Sequence, residues 1–83
     1  MGIREDYEVV SERYKIEFRD VEHIAETIRE IENFSFEKQT DYEEKVFKKL
    51  KEDLDQELRK VDDELREEVK DELEEILKKY KFI

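Results

Sequence analysis

Residues 40–80 read TDYEEKVFKKLKEDLDQELRKVDDELREEVKDELEEILKKY, and this stretch decides the fold. Its apolar residues recur every three or four positions, the spacing that places side chains on one face of an α-helix. They are Phe47, Leu50, Leu54, Leu58, Val61, Leu65, Val69, Leu73, Ile76 and Tyr80. Thr40 and Glu43 have the spacing of a capping box, which opens a helix. The pattern predicts one long helix over about residues 41–81.

The residues before this stretch favour a second helix. Apolar side chains between Ile3 and Ile31 fall on one heptad-like stripe, interrupted by Glu17, and predict a helix over about residues 3–32. Asn33 suits a left-handed helix end, so residues 34–39 are the predicted loop. This interpretation gives an all-α fold, a single small domain over residues 1–83 built as an antiparallel helical hairpin.

An α+β fold is the alternative. Residues 13–19 alternate between apolar and polar side chains, as a strand does, and could pair with a strand at residues 7–10. A shorter helix over residues 21–32 would follow. The turn of that hairpin, Ser11-Glu12, lacks the Asn or Gly that tight hairpins prefer, which favours the all-α interpretation.

The predicted long helix is too long for its own chain to cover. About 40 residues at a rise of 1.5 Å give a rod of roughly 60 Å, and an antiparallel first helix covers it only to about residue 71. The apolar side chains beyond that point need another partner, because soluble monomers seldom expose such a patch. The sequence therefore predicts a homodimer that forms a helical bundle, or a bound partner protein.

The leading functional hypothesis is a non-catalytic protein-protein interaction or assembly module, a coiled-coil-like protein that acts by binding. Its contact residues form the apolar stripe of the C-terminal helix. We use this name for Leu58, Val61, Leu65, Val69, Leu73, Ile76, Leu77 and Tyr80.

Composition limits the partners. The chain has 27 acids and 17 bases, a net charge of -10, which repels nucleic acid and anionic membrane surfaces and favours basic proteins. There is no cysteine, so thiolate metal sites and disulfides are excluded. No apolar run reaches the roughly 20 residues of a membrane span. A cytoplasmic location is the default expectation.

A ridge of carboxylates gives the alternative function. We use the name acidic ridge for Asp63, Glu64, Glu67, Glu68, Asp71, Glu72 and Glu75. On a helix these carboxylates repeat about every 6 Å along the axis, a scale comparable to phosphates along a nucleic-acid strand. The chain would then be a small acidic inhibitor of the phage type, a DNA mimic that blocks a basic nucleic-acid-binding protein.

Catalysis and cofactors are not predicted. The sequence has no cysteine nucleophile and no glycine-rich phosphate loop, so we expect no enzyme, no catalytic residue, no cofactor and no metal. The one histidine, His23, has Asp20 and Glu26 three residues to either side. A carboxylate-histidine metal-binding bundle is therefore a distant third alternative.

Overall fold

The computed structural model describes residues 2–34 and 40–83, which form four α-helices. They are α1 (Ile3–Tyr14), α2 (Phe18–Glu32), α3 (Asp41–Leu58) and α4 (Arg66–Lys79), with a 3-10 turn at Asp63–Leu65 before α4. The all-α prediction is confirmed for these residues. The α+β alternative is wrong, because the described residues contain no strand and residues 7–10 lie within α1.

The predicted first helix is divided in two at residues 15–17. Lys15 ends α1 in the left-handed conformation, with φ 56° and ψ 48°. The backbone N–H groups of Lys15 and Ile16 both donate to the carbonyl of Ser11, and the Ser11 hydroxyl donates to the Ile16 carbonyl. This turn buries Ile16, which explains the alternation over residues 13–19 without a strand. Glu17, the polar interruption of the stripe, is the exposed residue before α2.

The predicted boundaries between α2 and α3 agree with the structure in most respects. Helix α2 ends at Glu32, and Asn33 follows it with φ -94° and ψ 2°, so the predicted left-handed end is wrong. The capping box at the start of α3 is confirmed: the Thr40 hydroxyl accepts from the Glu43 N–H, and the Glu43 carboxylate accepts from the Thr40 N–H. Of the predicted loop at 34–39, residues 35–39 lie outside the described residues.

The single long helix over residues 41–81 is wrong. Helix α3 ends at Leu58, and Asp62 adopts an extended conformation with ψ 137° before the chain becomes helical again. The Arg66 side chain stabilises the turn, because its Nε donates to the carbonyls of Leu58 at 2.8 Å and Val61 at 3.0 Å. Carbonyls at a helix end lack a partner within the helix. The Leu58 carbonyl also accepts from the Val61 N–H at 3.0 Å, so the guanidinium is a second donor to it, and it is a donor to the Val61 carbonyl in the turn that follows.

The turn allows the chain to cover its own apolar residues. Helix α2 packs against α1, α3 and α4, and α4 also packs against α1. The core contains α2 residues Val21, Ile24, Ala25 and Ile28, together with Leu54 and Leu58 of α3 and Val69, Leu73 and Leu77 of α4. The longest dimension is 41 Å, well short of a 60 Å rod. The uncovered overhang on which the dimer prediction depended is absent from the described residues.

The last residues fold back onto the bundle. The Asn33 side-chain amide donates to the carbonyl of Phe82 at 2.7 Å, and the Phe82 N–H donates to the carbonyl of Leu77 at 2.9 Å. The Arg29 guanidinium lies 4.4 Å from the centre of the Phe82 ring. These contacts place Phe82 and Ile83 against the core rather than in solvent.

Candidate interaction surface

The apolar stripe is mostly core. Five of its members, Leu58, Val61, Val69, Leu73 and Leu77, are at most 8% exposed. Leu65 and Ile76 are half-buried at the edge of the core, and Tyr80 is also half-buried. A partner that approaches the folded chain therefore meets only the edges of the stripe.

The acidic ridge, in contrast, lies largely on the surface. Six of its seven members are exposed: Asp63, Glu64, Glu67, Glu68, Asp71 and Glu75. The seventh, Glu72, is half-buried and forms an ion pair with Arg13 of α1. Asp63 pairs with Arg66 at 2.8 Å, next to the turn that separates α3 from α4. The opposite side of α4 holds the buried Val69, Leu73 and Leu77, so α4 divides cleanly into a core face and a charged face.

A groove of about 350 Å³ runs between α1 and α4, beside the acidic ridge. We call it the α1–α4 groove. It is lined by the apolar residues Val9, Val10 and Ile76 and by the charged residues Asp6, Arg13, Asp71, Glu72 and Glu75. Its volume is at the lower end of the roughly 300–1,000 Å³ that is typical of ligand pockets.

Two ion pairs across the groove hold α1 and α4 together. The Lys79 Nζ lies 3.2 Å from the Asp6 carboxylate, and the Arg13 guanidinium pairs with Glu72. Because the first pair joins the start of α1 to the end of α4 and the second joins the end of α1 to the middle of α4, the helices are antiparallel. Both pairs are partly exposed, so they orient the two helices and add little stability.

This groove could not be predicted from the sequence, because it depends on how α1 is arranged against α4. Val10 is 2% exposed whereas its neighbour Val9 is 50% exposed. Only a weak signal was present in the sequence: on a helix, adjacent residues point about 100° apart, so one of two consecutive valines lies nearer the edge of the apolar stripe. The spacing alone does not say which of the two is exposed.

A buried charge joins α2 to the end of α3. Asp20 is only 9% exposed, and its carboxylate accepts a hydrogen bond from the Lys60 ammonium at 3.0 Å. Burying a carboxylate without a partner is costly, so Lys60 is needed where it lies. Asp20 lies in the first turn of α2 and is the ion-pair partner of Lys60.

This pairing also bears on the metal alternative. His23 lies on α2 with its Nδ1 3.9 Å from the Glu57 carboxylate, and its side chain is 58% exposed. Asp20 is directed to Lys60. Within residues 2–34 and 40–83, no three metal-ligating side chains are grouped so that they could hold an ion.

Five groups in the bundle have raised pKa values. Hydrogen bonding to Asp20 raises the pKa of Lys60, and hydrogen bonding to Asp6 raises the pKa of Lys79 and of Tyr80. Burial is the main cause of the raised pKa of Tyr7 and Tyr14, and nearby carboxylates, Glu26 and Glu72 respectively, add to it. Each of these groups holds its proton more tightly in the folded chain than in the unfolded chain.

We therefore expect the protein to lose stability on the alkaline side. Below the ordinary values of 10.0 for tyrosine and 10.5 for lysine, the stabilising protons are fully bound in both states. As the pH rises through the raised pKa values, the folded state must give up protons that the unfolded state has already lost. The free energy of unfolding therefore falls over this pH range. Urea midpoints, measured by circular dichroism between about pH 8 and pH 11, should decrease above about pH 10. The Tyr7→Phe variant should show a shallower decrease, and an unchanged midpoint throughout this range would contradict the expectation.

Comparison of the chain with protein-family models, with curated proteins and with solved structures gave no match. Across residues 2–34 and 40–83, no helix combines the length and the apolar character that crossing a membrane requires. The candidate surface is therefore defined by its own geometry and charge.

Proposed function

We propose that this protein is a non-catalytic interaction module that binds a basic surface of another protein through the charged face of α4. The observation that carries the proposal is the division of α4 into two faces. Its apolar face is used by the core, whereas four carboxylates of the acidic ridge, those of Glu67, Glu68, Asp71 and Glu75, are exposed on the same helix. The proposed binding surface is therefore the acidic ridge and not the apolar stripe.

Electrostatics supports a basic partner. A net charge of -10 on 83 residues attracts cationic surfaces and accelerates encounter with them. Asp71 and Glu75 have no ion-pair partner among the described residues, so they remain available to a partner's lysines or arginines. Rim charges of this kind act mainly on association rate and specificity, so the interaction should weaken with salt.

A nucleic-acid mimic is the second candidate, and the arrangement of exposed carboxylates favours it. Glu64, Glu68, Asp71 and Glu75 are exposed and spaced by three or four residues, so they recur at about 4.5–6 Å along a helix axis. Such a row fits a basic groove that normally holds phosphates. Competition by duplex DNA separates this candidate from a partner whose basic surface does not bind nucleic acid.

Two matched variants test the proposal. E68K/D71K/E75K reverses three exposed acids on α4, and E44K/E52K/D55K reverses three exposed acids on α3. Each set contains one first-turn acid and changes the net charge by the same amount, so their effects on overall charge and on the helix dipole are similar. Thermal unfolding by circular dichroism checks that both variants fold.

Immobilised wild-type protein and both variants are then used for capture from the source lysate at low and high salt, with identification by mass spectrometry. We expect the α4 variant to lose salt-sensitive partners that the α3 variant retains. Added duplex DNA should remove those partners only if the chain is a nucleic-acid mimic. Equal capture by the two variants would overturn the proposal.

A further inference from the structure

The α1–α4 groove combines an apolar floor with a negatively charged rim. The apolar floor is our name for three of its lining side chains: Val9, which is 50% exposed, Val10, which is buried, and Ile76, which is half-buried. The only other large hydrophobic residue that is exposed within the described part of the chain is Tyr42, at 76%, on α3. Val9 is thus an apolar side chain that lines a concave site and remains half open to solvent.

The rim carries an excess of negative charge after its internal ion pairs are counted. Lys79 neutralises Asp6, and Arg13 neutralises Glu72. Asp71 and Glu75, on the α4 wall, have no ion-pair partner among the described residues. A ligand that fills this groove therefore meets aliphatic carbon below and two unpaired carboxylates beside it.

This chemistry selects one kind of occupant. A second copy of the chain would bring an identical acidic rim to face the first, and like charges at close range are repulsive. A nucleic acid or another anion is repelled by the same rim. A helix with an apolar face flanked by lysine or arginine can bury that face on the apolar floor and pair its charges with the carboxylates of the rim.

We propose that the α1–α4 groove binds a basic amphipathic helix of the partner protein. The inference rests on the proposed function and deepens it by naming the segment that is bound. Large aliphatic side chains of the partner helix cover Val9, Val10 and Ile76. The lysine or arginine side chains of the partner helix pack their aliphatic carbons against the groove wall and pair their charges with Asp71 and Glu75.

The test uses a synthetic amphipathic peptide of leucine and lysine and a scrambled peptide of the same composition. The scrambled peptide keeps the charge and the average hydrophobicity but has no apolar face. Binding of each peptide to the full chain is measured by fluorescence anisotropy. The decisive variant is Val9→Glu, which makes the floor polar while adding an acid to a site that attracts cations.

Tyr42→Glu is the matched control. It replaces the other exposed large hydrophobic residue by the same acid, on a helix that does not line the groove. If attraction is purely electrostatic, both variants bind either peptide as well as the wild type or more tightly. Val9→Thr, which keeps the shape of the side chain and adds only a hydroxyl, is a second and milder variant.

We expect the wild type to prefer the amphipathic peptide over the scrambled one. Val9→Glu should weaken binding of the amphipathic peptide by about three- to tenfold, since covering the exposed half of one aliphatic side chain is worth up to about one factor of ten. Val9→Thr should weaken it less, and Tyr42→Glu should leave it unchanged or slightly tighter.

Two results would overturn the inference. If Val9→Glu binds the amphipathic peptide as tightly as the wild type, the groove is not the binding site. If E68K/D71K/E75K nevertheless loses its salt-sensitive partners, the proposed function of the acidic ridge stands without the groove. If sedimentation shows a wild-type dimer that Val9→Glu dissociates, the occupant is a second copy of the chain.

Discussion

Replacing Leu73 by alanine is expected to lower the free energy of unfolding by about 2–5 kcal/mol. Leu73 is fully buried in the centre of the core, so the variant loses its transfer free energy and leaves a cavity. A chain of this length has a total stability of only about 4–12 kcal/mol, so the loss is a large fraction of it. Urea denaturation followed by circular dichroism measures the effect.

Leu65→Ala is the control for this experiment. Both residues belong to the apolar stripe, but Leu73 is fully buried whereas Leu65 is half-buried at the edge of the core. We expect its loss to cost clearly less stability than the loss of Leu73. If Leu73→Ala keeps full stability and instead abolishes self-association, the stripe is an interface between chains and the folded monomer described above is wrong.

Arg66→Ala should lower the free energy of unfolding by about 1.5–3 kcal/mol. The Arg66 Nε donates to two backbone carbonyls, those of Leu58 and Val61, at the end of α3. Alanine leaves these carbonyls without that donor in a partly buried turn. The loss also removes the ion pair with Asp63, a surface contact that contributes little.

Arg59→Ala serves as the control, because Arg59 is exposed at the end of α3 and forms no ion pair with a described residue. It should change stability by less than about 0.5 kcal/mol. Small-angle scattering adds a second measurement. If Arg66→Ala straightens the turn, the radius of gyration should rise above 13.4 Å as α3 and α4 join into one rod. Equal stabilities of the two arginine variants would contradict the assigned role of Arg66.

The helical content and the core face of each helix could be predicted because they depend on local spacing. The positions of Leu54, Leu58, Val69 and Leu73 in the periodic pattern all correspond to buried side chains. The capping box at Thr40 was equally predictable, since both of its hydrogen bonds join residues three apart. In these places local preference and tertiary packing agree.

The turn between α3 and α4 could not be predicted in this way. Leu58, Val61, Leu65 and Val69 keep a spacing of three or four across it, and no proline or glycine interrupts the stretch. Their spacing is therefore as compatible with one helix as with two. Whether this stretch forms one helix or two depends on tertiary contacts. Helices α1 and α2 cover the apolar side of α4 only when the chain turns back, and the contacts of Arg66 stabilise that turn.

The break between α1 and α2 had a weak signal in the sequence. Glu17 interrupts the apolar stripe of a continuous helix, and the structure places it at the start of α2 with an exposed side chain. The left-handed conformation of Lys15 gave no signal, because glycine or asparagine is the residue expected there. The α1–α4 groove depends on how α1 and α4 lie together and could not be located before the fold was known.

The central position of α2 affects how the chain is made. During synthesis α2 emerges from the ribosome after α1, but most of the surface against which α2 packs belongs to α3 and α4, which are still to be translated. The apolar face of α2 therefore stays exposed, or bound to a chaperone, until residues 69–82 have emerged from the ribosome. Completion of the core is then a late event, and nascent chains stalled before α4 should be captured by chaperones or degraded.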